Sequence, residues 1–342
     1  MNHPRELIYE LTLKPFFFKL NPESAHELSR GLLQLADSVP FLFSQIEKFC
    51  NYESDRLNTN ISGIQFKNPL GMAAGFDKTC ELYPFLARLG FGYVELGTIT
   101  AEGQTGNPKP RIFRYEKDLS LVNRLGFNNP GSEKAYKIIS SQKKVIPRGI
   151  NVGKTKLTPP ELTIEDYTKT LKKLSPLCDY AVINISSPNT PGLRGFQEKE
   201  NFIELIEGIR KNLGGEFLIP TFVKLAPDLD DSAIQELLEM ILSLKLSVEE
   251  GGISGRPLRK RSTDVIRLAY KVLKGRLPII GVGGIDSFES ALEKILAGAS
   301  LIQIYTGYIY KGPFLPYMIL EGIDQFLQKQ GVPNIAEIVG KE

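Results

Sequence analysis

From Asn68 onward, short apolar runs alternate with longer stretches whose apolar residues recur at helical spacing. Seven of the runs predict strands: Pro69–Ala73, Tyr93–Thr100, Arg148–Val152, Tyr180–Ile185, Thr221–Leu225, Leu277–Gly281 and Leu301–Tyr305. Several, such as "YAVINI" and "PIIGV", are apolar at successive positions, which suits parallel strands buried on both faces. Between them, Ser232–Leu246 puts Ile234, Leu237, Leu238, Ile241 and Leu242 on one helical face. Asp286–Ala297 predicts another helix, opened by Asp286 and Glu289 at capping-box spacing and closed by Gly298. Such alternation leads either to a (β/α)8 barrel or to an open doubly wound sheet.

The polar residues choose between them. They gather just after the strands, at Gly75–Lys78, Gly97-Thr98, Asn151, Asn184–Asn189, Lys224, Gly283-Gly284 and Tyr305-Thr306. A barrel brings all of these strand ends to one mouth, whereas an open sheet scatters them along an edge. The predicted fold is therefore α/β, a (β/α)8 TIM barrel with a small N-terminal helical element. Residues 1–51 form that element and 52–342 the barrel.

The first stretch has a different character. Arg5–Leu13 and Pro22–Asp37 predict helices, the second with Asn21 as cap and Pro22 in the first turn. Phe16, Phe17, Phe18, Leu32, Leu33, Leu35, Phe41, Leu42 and Phe43 crowd this region. Such an element can pack its apolar face on the barrel or offer it to a membrane surface.

Composition narrows the chemistry. A net charge of +3 over 342 residues, without basic blocks, gives no reason to expect nucleic acid as partner. Cys50, Cys80 and Cys178 are widely spaced, arguing against a disulfide framework or a structural zinc site. His3 and His26 are the only histidines, which all but excludes a histidine metal centre or a Ser–His–Asp hydrolase in the barrel. No metal is expected. No run reaches the ~20 apolar residues of a spanning helix. Glu6 and Glu10 interrupt any signal-peptide core, so neither export nor a membrane span is expected.

Three features carry candidate chemistry. "GVGGIDS" (Gly281–Ser287) and "QIYTG" (Gln303–Gly307) end the two last strands, where barrels often hold a phosphate on backbone N–H groups. The run Gly251–Gly255 can add a further wall, and tight turns are the plain alternative. Lys78 and Lys224, each after a strand, can supply the positive charge that a reduced flavin needs. The segment "NISSPNTPG" (Asn184–Gly192), with Asn123 and Asn128 in "NRLGFNN", offers amides able to match the alternating N–H and C=O edge of a cyclic imide. Asn, Ser, Pro and Gly also favour turns, so this segment alone leaves both readings open.

Taken in order, "NPLGMAAGFDK", "ELGTIT", "NPKPRIFR", "NRLGFNN", "INVGK", "NISSPNTPGLR", "VKLAPD", "GGISGRPL" and "IIGVGGI" resemble the motif series of dihydroorotate dehydrogenases across nearly the whole barrel. Ser187, where soluble relatives carry cysteine, and the helical N-terminus with "NPESAHELS" resemble the class 2, quinone-reducing, membrane-associated branch. The resemblance implies FMN as cofactor and oxidation of dihydroorotate to orotate in pyrimidine biosynthesis. It assigns FMN contacts to Ala74, Gly75, Phe76, Asp77, Lys78, Thr98, Asn151, Asn184, Lys224, Gly255, Gly284, Tyr305 and Thr306. It assigns the substrate to Lys78, Asn123, Arg124, Leu125, Gly126, Phe127, Asn184 and Asn189. Ser187 would take the C5 proton as C6 gives hydride to flavin N5. A hydroxyl is a weak base, so it would pass the proton on through a threonine or water. A membrane quinone would enter between the N-terminal helices near His26, Arg114 and Tyr305. The resemblance implies a peripheral protein, attached through those helices to the cytoplasmic face of the inner or cell membrane. No protein partner is expected.

One departure stands out. The family carries a strand ending in Asn-Thr-Thr before "GGISGRP", whereas here Ser247-Val248-Glu249-Glu250 runs straight into Gly251. The expectation is a barrel one strand short, with a segment missing between Leu246 and Gly251. Three other functions compete: the soluble branch with fumarate or NAD as acceptor, a Schiff-base aldolase using Lys224, and a flavin-binding protein that has lost catalysis.

Overall fold

The computed structural model describes residues 3–37, 39–186, 193–226, 229–243, 247–250 and 254–342. Eight parallel strands curl into a closed sheet in chain order: Leu70–Met72, Tyr93–Ile99, Arg148–Val152, Tyr180–Asn184, Thr221–Leu225, Ser247–Glu250, Ile279–Val282 and Leu301–Ile304. The last pairs back onto the first, Ile302 beside Leu70 and Ile304 beside Met72. Helices on the outside connect successive strands, and their apolar stripes meet the outward strand residues in one large core.

The seven predicted strands appear with ends shifted by up to two residues. The expectation of a missing eighth is corrected. Ser247–Glu250 pairs with Thr221–Leu225 on one side, Val248 beside Val223, and with Ile279–Val282 on the other, Val248 beside Ile279. Ser-Val-Glu-Glu lacks the apolar pattern of a buried strand, so it does not read as one. What recruits it is the pair of strand edges it joins, whose backbone N–H and C=O groups would otherwise lie unpaired. The barrel therefore does not require a further segment between Leu246 and Gly251 in order to close.

Inward-facing residues alternate along each strand and form storeys. The lower storey is aromatic: Phe66, Tyr93, Tyr180 and Phe222 pack edge to face at 5.3–6.2 Å. Phe66 comes from an antiparallel hairpin, Thr59–Ile61 with Ile64–Phe66, that closes this end. The storey above is polar and equally dry, with Glu95, Asn151 and Gln303 at 0% exposure. At the mouth, Ile112–Tyr115, Ser120–Asn123 and Ser254–Gly255 form a small antiparallel sheet that the strand pattern did not reveal.

The helix after the seventh strand spans Phe288–Leu296, and its cap differs from the expected one. Ser287 caps it, its hydroxyl accepting from Ser290 N (3.3 Å) while Ser290 Oγ accepts from Ser287 N (3.0 Å). Asp286 instead holds Arg256 in an ion pair at 2.7 Å.

The N-terminal region folds as helices Pro4–Leu11, Leu13–Phe17, Pro22–Asp37 and Pro40–Cys50. Asn21 caps the third, its side chain accepting from Glu23 N at 3.0 Å. Polar anchors tie these helices to the barrel: Glu23 to Arg111 (2.7 Å), Glu47 to Arg88 (3.0 Å), Tyr9 to the Ile309 carbonyl (2.8 Å), and Glu6 to Lys311. Phe43 is buried against the barrel, but many of their large apolar side chains remain open, among them Leu11 at 76%, Leu35 at 65% and Phe41 at 77% exposure. No described helix is long and apolar enough to cross a membrane.

Candidate active site

One cavity opens at the carboxyl ends of the strands, under the small antiparallel sheet. Most of the residues expected to bind ligands converge on it. Ala74, Gly75, Lys78, Thr98, Asn184, Lys224, Gly255, Gly284, Tyr305 and Thr306 line it, as do Asn123, Leu125, Gly126 and Phe127. The strand Ser120–Asn123 carries Asn123 to the rim, and the loop beyond it turns sharply, with Phe127 at φ +51°. A bulky residue rarely adopts such a backbone. Gly153 lets the Phe127 ring approach, since a Cβ there would sit 2.8 Å from both Phe127 and Thr98.

Other expected residues stand behind the wall or away from it. Asn151 is fully buried and reaches the cavity only through Thr98 Oγ1 (2.6 Å) and Asn184 Nδ2 (3.1 Å), both of which donate to its oxygen. Asp77 turns inward and accepts from Leu82 N and Tyr83 N at 2.9 Å. Phe76 packs against His26 and Tyr305, ring centres 5.2 and 5.9 Å apart. Arg124 is exposed and donates to the Pro110 carbonyl at 2.9 Å. Arg114 lies over the Phe18 ring and donates to the Leu20 carbonyl at 2.6 Å. Ser187 and Asn189 lie outside the described residues.

Electrostatics are set mainly by dehydration. Burial brings the Lys78 ammonium down to about 8; Glu23 opposes the shift and Arg111 adds to it. Burial, then repulsion from Lys78 and Arg30, pushes His26 down to about 4, so its imidazole is neutral at pH 7. Burial raises the Tyr305 phenol to about 12.

The far wall is built from the last two strand ends. Gly284 sits at φ +72°, and a Cβ there would meet the Arg259 backbone at 2.5 Å, so no other residue fits this turn. Behind it, Lys294 is fully buried and donates to the Arg259 carbonyl (2.7 Å), Thr263 Oγ1 (2.5 Å) and Ser262 Oγ. Ser262 Oγ in turn donates to the Gly283 carbonyl at 2.8 Å. Thr306 Oγ1, on the cavity wall, is buried without a hydrogen-bond partner. A glycine turn, an unsatisfied hydroxyl and a buried cation behind them suit a phosphate. Lys78 and Lys224, on the same cavity lining, suit an electron-rich ring system. The donor set therefore fits FMN.

The sequence motifs contain Glu95 and Gln303 but assign neither a role of its own. Glu95 is the lone charged residue of "YVELGTI" and Gln303 the lone polar residue of "LIQI", and that contrast was the available signal.

A family model described as dihydroorotate dehydrogenase matches residues 56–248 and 242–327. The quinone-type dihydroorotate dehydrogenase of Trichodesmium erythraeum is 39% identical over 373 aligned residues, covering 97% of this chain and 98% of the relative. That of Acaryochloris marina is 40% identical over 375, covering 98% and 100%. The crystal structure of the Eimeria tenella enzyme in complex with ferulenol superposes with a TM-score of 0.81 at 32% identity, covering 94% of this chain and 95% of that one. Both alignments are longer than this 342-residue chain, so the relatives hold residues that it lacks. The family match itself breaks at 242–248, around the short sixth strand.

Proposed function

We propose that this chain, a member of the quinone-dependent dihydroorotate dehydrogenase family, does its chemistry in the cavity at the barrel mouth and meets its quinone through the N-terminal helices. The reaction is oxidation of (S)-dihydroorotate to orotate through FMN with a quinone as acceptor, in pyrimidine biosynthesis. The observation that carries the assignment of roles is convergence. Two lysines, the Asn123 and Asn184 amides and a glycine-built anion cradle, from five separate strand ends or loops, face one space.

When bound, FMN supplies the two-electron acceptor for dihydroorotate and the donor to the quinone. Gly284, Thr306 and Gly255 hold its phosphate end, and Lys224 and Lys78 compensate the charge that gathers on the ring system. Ala74, Gly75, Thr98 and Asn184 complete the seat, with Asn151 acting from behind. Asn123, Asn184 and Asn189 pair with the imide edge of the substrate, and Lys78 faces its carboxylate. Ser187 removes the C5 proton. Phe127 and the loop Leu125–Gly126 keep water out, which strengthens every polar contact inside.

In this reading, residues 52–342 are a (β/α)8 catalytic barrel and residues 1–51 are its membrane and quinone-access element. Eleven of the eighteen exposed large apolar side chains among the described residues belong to that element. They form a surface suited to the cytoplasmic face of the inner or cell membrane. A quinone passing between the helices meets neutral His26, the Phe76 and Tyr305 rings beside it, and Arg114 at the far side.

The test is a pair of half-reactions. Purified protein should be yellow and should bleach with dihydroorotate without oxygen. Removing residues 1–51 should spare bleaching while abolishing reoxidation by a lipophilic quinone. A colourless protein that takes up no FMN overturns the chemistry, and equal loss of both half-reactions overturns the role of the helices.

A further inference from the structure

Glu95 is a carboxylate sealed in the barrel, at 0% exposure and away from the cavity lining. Three donors converge on it. Asn151 Nδ2 gives to Oε1 at 2.7 Å, Gln303 Nε2 to Oε2 at 2.8 Å, and the Tyr180 hydroxyl reaches Oε2 at 3.5 Å. Both oxygens of the carboxyl accept here, so it dictates which end of each amide faces it. With its nitrogen committed to Glu95, Asn151 must turn its oxygen toward the mouth. That oxygen accepts from Thr98 Oγ1 and from Asn184 Nδ2. Asn184, its nitrogen now directed inward, presents its oxygen to Ser186 N (3.1 Å) and Ser186 Oγ (2.9 Å), at the start of the segment that leads to Ser187.

We infer that Glu95 is a positioning residue for the reaction: it fixes the hydrogen-bond direction of Asn151, and through it of Thr98 and Asn184, before any ligand arrives. The inference rests on the reading of the cavity as the FMN and orotate site. The amides of this site are symmetric in shape and opposite in polarity at their two ends, so packing alone cannot orient them. A flipped Asn151 would set donor against donor at Asn184 and acceptor against acceptor at Glu95, in a region too dry for water to repair.

The logic predicts a rescue. Glu95→Gln leaves one acceptor oxygen for the two amide donors, and Asn151→Asp sets two carboxylates against each other. Both should weaken orotate binding to the holoenzyme, read from the shift it causes in the flavin spectrum, by about tenfold or more. Release of FMN, followed by its fluorescence, should quicken in step. The double variant, Glu95→Gln with Asn151→Asp, restores the direction. Its introduced glutamine accepts from Gln303 and donates to the introduced aspartate, whose other oxygen accepts from Thr98 and Asn184. Charge is conserved, and both readouts should return to within about threefold of the parent protein, on the usual scatter for such contacts. A merely structural role predicts no such return.

Native orotate affinity in Glu95→Gln overturns the inference, as does a double variant that binds as weakly as the singles. If the singles do not fold, the double variant alone decides, and its failure to fold also counts against the relay. If the parent protein holds FMN but gives no orotate shift, the substrate assignment fails, and the FMN-release arm still judges Glu95.

Discussion

The barrel mouth and the N-terminal helices break the ordinary distribution of residues in opposite senses. At the mouth and in the storey beneath it, polar groups are buried: Glu95, Asn151, Gln303 and Asn184 are all at or below 6% exposure. On the helices, apolar groups are exposed, with Leu11 and Phe41 each above 75%. Both arrangements cost stability in isolation, and each makes sense with a partner of matching polarity. The mouth leaves Thr306 Oγ1, Gln303 Oε1 and Asn128 Oδ1 without hydrogen-bond partners, as a site prepared for a polar ligand would. The helices pair charges with the barrel and leave eleven large apolar side chains exposed.

The sharpest way to break the comparison is to give the exposed face the polarity of the mouth. Leu11→Asp with Phe41→Asp should lower binding to phospholipid vesicles by two decades or more, since each side chain contributes about 1.5–3 kcal/mol when fully buried. Sedimentation with vesicles measures this, and flavin reduction by dihydroorotate should be untouched. Undiminished binding would remove that face from the membrane contact.

Next is the reverse experiment, at the mouth. Ser187→Ala should slow flavin reduction by about 10²-fold or more, with FMN retained and vesicle binding unchanged. Stopped-flow absorbance under anaerobic conditions reads it, and an unaltered rate would move the base elsewhere.

Where the chain leaves the N-terminal helices, a charge latch ties it to the helix Leu315–Gln330. Asp324 accepts from Tyr52 (2.8 Å), Ser54 (2.6 Å) and Arg56 (2.8 Å). Burial works to raise its pKa, and these three partners overcome that and draw it down to about 2. A depressed carboxylate stabilises the fold above its unfolded value, about 4, and the contribution disappears as pH falls through about 2. It amounts to about 2–3 kcal/mol at neutral pH. Asp324→Asn should remove it at pH 7 and flatten the acid limb of a denaturation series between pH 4 and 2.

The smallest effect concerns Lys78. Its ammonium is charged below about 8 and neutral above. If it faces an anionic substrate, orotate affinity should be level up to pH 8 and then fall by up to about tenfold per pH unit. Titrations of the flavin spectrum should show the break, and Lys78→Met should abolish it.

Much of this protein was legible in its sequence. Strands apolar on both faces, separated by helices and each followed by polar or glycine residues, already require parallel strands with their ends at one mouth. Seven of eight strands and the polar cavity residues at their ends follow from that pattern, and the cap at Asn21 follows from a helix-start signal; Ala74 and Leu125–Phe127 came only with the family resemblance. The pattern failed where the local sequence does not hold the information. Ser247–Glu250 becomes a strand because two neighbours need hydrogen bonds, a demand created only when the sheet closes. Asn123 reaches the cavity on a hairpin whose register depends on pairing with Ser254–Gly255, more than a hundred residues away. Arg124, one residue further on, is carried to the surface by the same strand alternation. The direction of the Asn151 and Asn184 amides follows, on the inference above, from Glu95, fifty-six and eighty-nine positions distant in the chain. Periodicity is a short-range property and determines which elements form and which faces are buried. Direction, register and the polarity of buried amides depend on partners that only the closed barrel brings within hydrogen-bond distance.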